Sequence, residues 1–148
     1  MVAMSCVACA RSESPPKADS GRARAQPAIG NAAVSVSRPT VIAYFVIPPG
    51  AVDSLPDLAV EADDWNVSMA TLGDSLEANG IGFAMATDST VRVDFGGGRD
   101  STISLGRFKS SGYVFVRPNG PTCTHWGGAD ADTVLAIARA IARGGGCA

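Results

Sequence analysis

Basic excess is missing from this sequence, and so is any long apolar run. Twelve Lys and Arg stand against fourteen Asp and Glu, for a net charge of -2, which argues against a nucleic-acid-binding domain. No uninterrupted apolar stretch approaches the roughly 20 residues that a membrane-spanning helix needs. Aromatic residues make up only 6% of the chain. His125 is the only histidine, so neither a general base with a positioned partner nor a histidine ligand set can be assembled around it from the sequence. A four-thiolate zinc site would need a second C-x-x-C beside Cys6 and Cys9, and none is present. Gly96, Gly97, Gly98 and Arg99 lack the Lys-Ser/Thr ending of a phosphate loop and read as a hairpin turn.

What is present is a core-forming composition: 46% hydrophobic residues in 148, with 17 Gly and 9 Pro to make turns. That is the size of one domain. Composition divides the chain near Pro39. Residues 10–39 hold no aromatic residue and only Ile29, Val34 and Val36 as bulky aliphatics, too little apolar area to offset the entropy of ordering them. The segment reads as a flexible tether with a short strand at Val34 and Val36. It is basic, with Arg11, Lys17, Arg22, Arg24 and Arg38 against Glu13 and Asp19, while the remainder is acidic.

From Thr40 the pattern is that of an α/β domain. Residues 40–47, TVIAYFVI, form a charge-free run stopped by Pro48, Pro49 and Gly50, which predicts a central strand buried on both faces. A helix is expected from an N-cap at Asp63 or Asp64 to about Ala78, with Trp65, Met69, Leu72 and Leu76 on one face. Pro56 limits any earlier helix to a first turn there. Residues 81–86 read as a second apolar strand, 90–95 and 102–105 as a hairpin with one wet face, and 112–116 as a third buried strand. A turn at 118–121 leads into a strand at 122–126, and a terminal helix runs from Asp130 or Asp132 to Arg143 with Val134, Ile137, Ala138 and Ile141 as its buried stripe.

A strand-helix-strand unit, then an antiparallel hairpin and a terminal helix, is the connectivity of thioredoxin-like domains. The ending GYVFVRPNGPTCTHWGGADADTVLAIARAIA resembles the last hairpin and helix of that family. The resemblance covers about 40–143 and implies a central mixed sheet flanked by helices, here with a hairpin insertion. It also implies a C-x-x-C pair after the first central strand, where a helix N-terminus makes a thiol nucleophilic. The matching stretch, 47–52, contains no cysteine, and Ser110, Ser111 and Gly112 stand where the family carries a proline. No catalytic residue, metal or cofactor is expected. The alternative activity is a thiol-disulfide oxidoreductase working through Cys123 or an unusual pair.

Cys9 has a second meaning. Val7, Ala8 and Cys9 before a polar linker resemble the cleavage box of bacterial lipoproteins, which implies acylation at Cys9 and reads residues 1–9 as the remnant of a signal. Cys6 stands where an aliphatic is usual and the stretch before it is short, so an ordinary cytoplasmic N-terminus stays open. Cys123 and Cys147 admit a disulfide, because a helix of about 14 residues returns about 21 Å along the sheet and brings the glycine-rich tail back towards Cys123. The other reading is a buried Cys123 with Cys147 in a frayed tail. Asp53, Asp57, Glu61, Asp63 and Asp64 form either a partner-binding acidic face or a solvated helix surface.

Together these features lead to the expectation of a non-catalytic, thioredoxin-like domain, residues 40–148. It would be lipid-anchored on the periplasmic side of a bacterial envelope and act on an envelope protein partner. A structural or assembly component of an envelope or secretion complex is the other non-enzymatic reading.

Overall fold

The computed structural model describes residues 32–146. Residues 1–9 with Cys9, residues 10–31 of the expected 10–39 tether, and residues 147–148 with Cys147 lie outside the described residues. The elements are β1 (Val34–Ser35), β2 (Thr40–Phe45), α1 (Ala51–Ser54), α2 (Pro56–Ala78), β3 (Gly82–Ala86), β4 (Thr90–Asp94), β5 (Asp100–Ser104), β6 (Ser111–Arg117), β7 (Gly120–Trp126) and α3 (Ala131–Ala142). The domain is therefore mixed α/β.

The strands make two sheets, one of four strands in the order β3-β2-β6-β7 and one of three in the order β1-β4-β5. β2 runs parallel to β3 and antiparallel to β6, and β6 is antiparallel to β7. All six residues of β2 are buried, as a charge-free strand at the centre of a sheet must be when both faces are covered. Val41 and Ala43 face one side and pack with Met69, Leu72 and Leu76 of α2 and Val134, Ala138 and Ile141 of α3. Ile42, Tyr44 and Val46 face the other side and pack with Val34, Val36, Val91, Val93 and Leu105.

The mixed α/β class and the mixed central sheet are as expected, and the structure adds how its faces are covered. Both long helices lie on one face of the central sheet, and the three-stranded sheet covers the other. The 90–104 hairpin formed as its alternation predicted, with Val91 and Val93 buried and Thr90, Arg92 and Asp94 exposed. Its buried face lies on the central sheet instead of extending that sheet's edge. Val34 and Val36 belong to this layer, so packing begins at Val34, before the change in composition at Thr40.

A correction concerns α2. It starts at Pro56, not at Asp63 or Asp64. Proline fits the first position of a helix because that N–H has no intrahelical acceptor, and Ala62 and Leu58 then extend the buried stripe by two turns towards the N-terminus. Asp63 and Asp64 are interior helix residues without a capping role. The expected face of Met69, Leu72 and Leu76 is buried, with Trp65 partly buried against it. Gly73 allows α2 to approach β3, since a Cβ there would lie 2.7 Å from the Phe83 ring. Gly80, with φ of 72°, follows the helix end at Asn79 and supplies the expected left-handed stop. α3 begins as expected, its N-cap Asp130 accepting a hydrogen bond from the Thr133 N–H at 2.8 Å.

Candidate functional site

Four loops meet at the end of the domain where β2 and β3 terminate. Residues 47–50 follow β2, 87–89 join β3 to β4, 105–110 join β5 to β6, and 127–130 join β7 to α3. The carboxyl ends of parallel strands are where open α/β sheets usually bind ligands, because the chain there diverges to helices and leaves a crevice. In this domain the crevice is a groove of about 690 Å³ between the 47–50 loop and the second and third turns of α2. Its apolar wall comes from Ile47, Pro48, Pro49, Val52, Ala59, Val60 and Ala62, and its polar wall from Asp63, Asp64, Asn66 and Thr87. A second depression of about 390 Å³ shares Ile47, Pro48, Pro49 and Thr87 with it and continues to Asp88, Ser89, Thr90 and Phe108. The Pro48-Pro49 turn is thus a ridge with a hollow on each side.

Three exposed apolar side chains stand at this end. Val60 is 63% exposed, Phe108 46% and Trp126 62%. Trp126 closes the outer strand at the same end, with its ring edge-on to Tyr44 at 6.1 Å between centroids. Val60 lines the groove and Phe108 the second depression.

The 105–110 loop is held in a defined shape. Lys109 is the one non-glycine residue among those described with a positive φ, 59°. Its N–H donates to the Val46 carbonyl at 3.0 Å, and the Val46 N–H donates to the Ser110 carbonyl at 2.9 Å. The Ser110 hydroxyl donates to the Arg107 carbonyl, and Lys109 Nζ donates to the Glu61 carboxylate at 3.3 Å. Left-handed backbone at a lysine persists only when its surroundings hold it there. These contacts tie the loop to both β2 and α2.

The expected acidic face is divided by this geometry. Asp63 and Asp64 line the groove. Glu61 is turned to Lys109. Asp53 in α1 and Asp57 in the first turn of α2 are exposed and do not line the groove. Sequence reasoning missed the apolar half of the site. Val52, Val60 and Phe108 carry no chemistry that would mark them, although Pro48-Pro49-Gly50 after a buried strand did mark the loop.

No thiol, histidine or lysine lines either hollow. Cys123 lies opposite Phe115 in the β6–β7 pair, three positions along from the Gly112–Trp126 pair at the groove's end. It packs against the helix-covered core and is disulfide-bonded. Its partner cysteine is outside the described residues, since Cys123 is the only cysteine within 32–146.

His125 faces Tyr113 with ring centroids 6.5 Å apart. Burial, and then the negative charge of Asp130, push the Tyr113 phenol above its usual pKa. Its hydroxyl donates to the Ala129 carbonyl at 3.4 Å. Burial likewise raises Tyr44, whose hydroxyl is enclosed in the core with no hydrogen-bond partner among the described residues. Neither tyrosine lines the groove. Among the described residues no group of three or more His, Cys, Asp or Glu is placed to hold a metal, and no helix is long and apolar enough to cross a membrane.

Comparison with protein-family models, with curated proteins and with solved structures gives no match to this chain. The site must be read from its own geometry.

Proposed function

We propose that this chain is a non-catalytic, thioredoxin-like domain that acts through protein contacts made at the 47–50 groove, and that a lipid on Cys9 holds it on the periplasmic side of a bacterial envelope. The connectivity supports the family reading. A parallel β2-α2-β3 unit is followed, after the 90–104 hairpin, by the antiparallel β6-β7 pair and α3. One observation carries the functional reading. The loop where a redox-active relative would hold its C-x-x-C pair carries Pro48 and Pro49, and it walls an apolar groove instead of presenting a nucleophile.

Thiol exchange needs an accessible thiolate, and the groove lines no sulfur. Apolar walls with a carboxylate rim instead suit a peptide segment, whose side chains fill hollows while its charges meet the rim. The lipid reading rests on Val7, Ala8 and Cys9 and the polar linker after them. A flexible linker of the 24 residues from 10 to 33, ahead of the packed Val34, would have a root-mean-square span of about 27 Å, enough to carry the groove clear of lipid headgroups.

The test is site-specific crosslinking in the native host. A photo-reactive side chain at Val60, in the groove wall, is expected to capture a discrete envelope protein, and one at Thr102, exposed on the hairpin, is not. Asp in place of Val60 should abolish the functional effect of the chain in that host while leaving the fold intact. Disulfide reduction of insulin that disappears on Cys123→Ser would overturn the non-catalytic reading. A wild-type chain that remains unacylated, with its whole upstream region present, would overturn the anchor.

A further inference from the structure

The groove carries charge of one sign only. Residues 39–91, which supply all of its walls, hold eight acids and no Lys or Arg. Asp63 and Asp64 stand in the polar wall, and Asp88 lines the hollow beyond the Pro48-Pro49 ridge. None of the three has an ion-pair partner among the described residues. Lys109 is engaged at Glu61 and Arg38 at Glu77, and neither Lys109 nor Arg107 of the 105–110 loop lines either hollow. Carboxylates along a concave apolar wall sum to a negative field there, and no cation in the walls neutralises it.

The spacing of the wall is the second observation. Val60 precedes Asp63 and Asp64 within α2, so the exposed aliphatic and the carboxylates are neighbours one helical turn apart, about 5.4 Å along the axis. Side chains on one side of an extended chain recur every second residue, about 6.6 Å apart. A segment lying extended along α2 can therefore set an aliphatic side chain at Val60 and a cation at Asp63 and Asp64 from positions two apart. Its intervening side chains face Ile47, Pro48 and Pro49, which offer apolar contact.

We propose that the groove receives an extended segment of a partner protein in which a Lys or Arg stands two positions from a bulky aliphatic residue, the cation at Asp63 and Asp64 and the aliphatic against Val60. This rests on the reading of the groove as a protein-contact site and specifies the chemistry of what it contacts. The two halves of the contact do different things. Exposed ion pairs are individually weak, and the negative field mainly speeds encounter with a basic segment and turns away an acidic one. The apolar contact takes hydrocarbon out of water and holds the segment once it is seated.

Random peptides displayed on phage and selected on the immobilised full chain test this without presuming a charge. The recovered sequences are expected to be enriched in Lys or Arg two positions from Leu, Ile or Val, and the synthetic peptides to shift the backbone amides of Val52, Asn66 and Thr87. Asp63→Asn with Asp64→Asn should weaken their binding by about threefold to tenfold, mainly by slowing association, and high salt should do the same to the wild type. Both aspartates are exposed, and an unchanged amide spectrum away from the groove verifies the fold of the variant. Val60→Ser should weaken binding by about threefold or more at every salt concentration, mainly by speeding dissociation.

Peptides that shift the groove amides but lack the cation overturn the inference and leave the protein-contact reading standing. The same holds for peptides that bind the aspartate variant as tightly as the wild type. If no recovered peptide shifts the groove amides, or if binding is indifferent to Val60→Ser, the inference and the groove reading beneath it are both overturned.

Discussion

The two faces of the central sheet are built from the same strands and nearly the same residue types, yet they are covered by different structure. On one face Val41, Ala43, Tyr113 and Phe115 meet α2 and α3. On the other, Ile42, Tyr44, Val114 and Val116 meet β1, β4 and Leu105. Alternating apolar residues on a strand specify that both faces are dry, without specifying what dries them. The covering elements settle that by their own periods. Met69, Leu72 and Leu76 recur at helical spacing, whereas Val91 and Val93 recur every second residue.

The largest expected effects test whether the two layers unfold as one unit. Leu76 on the helix side and Leu105 on the sheet side are both fully buried, and replacing either with Ala should cost about 2–5 kcal/mol. In chemical denaturation each variant is expected to move a single transition seen alike by far-ultraviolet circular dichroism and by Trp65 and Trp126 fluorescence. If Leu105→Ala instead melts the hairpin layer alone, as hydrogen exchange confined to residues 90–105 would show, the faces are separate cooperative units.

A somewhat smaller effect is expected where the strands themselves meet. Gly112 pairs with both Tyr44 and Trp126. A Cβ at Gly112 would collide with the His125 carbonyl oxygen and lie 2.7 Å from Tyr44 Oη. Gly112→Ala should therefore destabilise by about 1–3 kcal/mol and alter the Trp126 emission. An unchanged midpoint would mean that β6 and β7 are less closely joined than described.

Tyr44→Phe removes the one polar atom enclosed on the sheet side without a partner among the described residues. Because an unpaired buried hydroxyl is costly, this change should be neutral or stabilise by up to about 1 kcal/mol. A clear loss of stability would reveal a hydrogen bond made by that hydroxyl.

The smallest effect belongs to the helix side. Hydrogen bonds from the Thr133 N–H and then the Thr133 hydroxyl hold the Asp130 carboxyl below its usual pKa. A depressed carboxylate stabilises the fold fully above its unfolded-state pKa, and that contribution disappears as pH falls through the lower folded-state value. Asp130→Ala should remove this part of the acid dependence and destabilise slightly at neutral pH. An acid limb of the stability curve identical to the wild type would show that the cap makes no net contribution.

Much of the fold was legible in local patterns. TVIAYFVI named the central strand, the alternation around Val91 and Val93 named the hairpin, and Asp130 and Asn79-Gly80 marked helix ends. The start of α2 was misplaced because two acidic residues imitate an N-cap, and a proline inside a segment resembles a break until it is known to occupy the first position. The site was half legible. The carboxylates and prolines announced themselves, but the groove's apolar wall is ordinary valine, alanine and isoleucine whose role comes from being left uncovered.

Periodicity, turn chemistry and composition by themselves determined the kind and order of most elements, the basic balance of residues 10–39 against the acidic remainder, and the absence of a thiol from the 47–50 loop. Those properties depend on residues close in sequence, whose sterics and charge act within a turn or a strand. Only the tertiary structure decided that the hairpin forms a second layer, that both helices share one face, and that Pro48, Val60, Asp63 and Thr87 enclose one groove. Each of those outcomes depends on which of several equally apolar surfaces meet. That choice is made by shape and chain connectivity across the whole domain, because burial rewards any dry contact and carries no direction of its own.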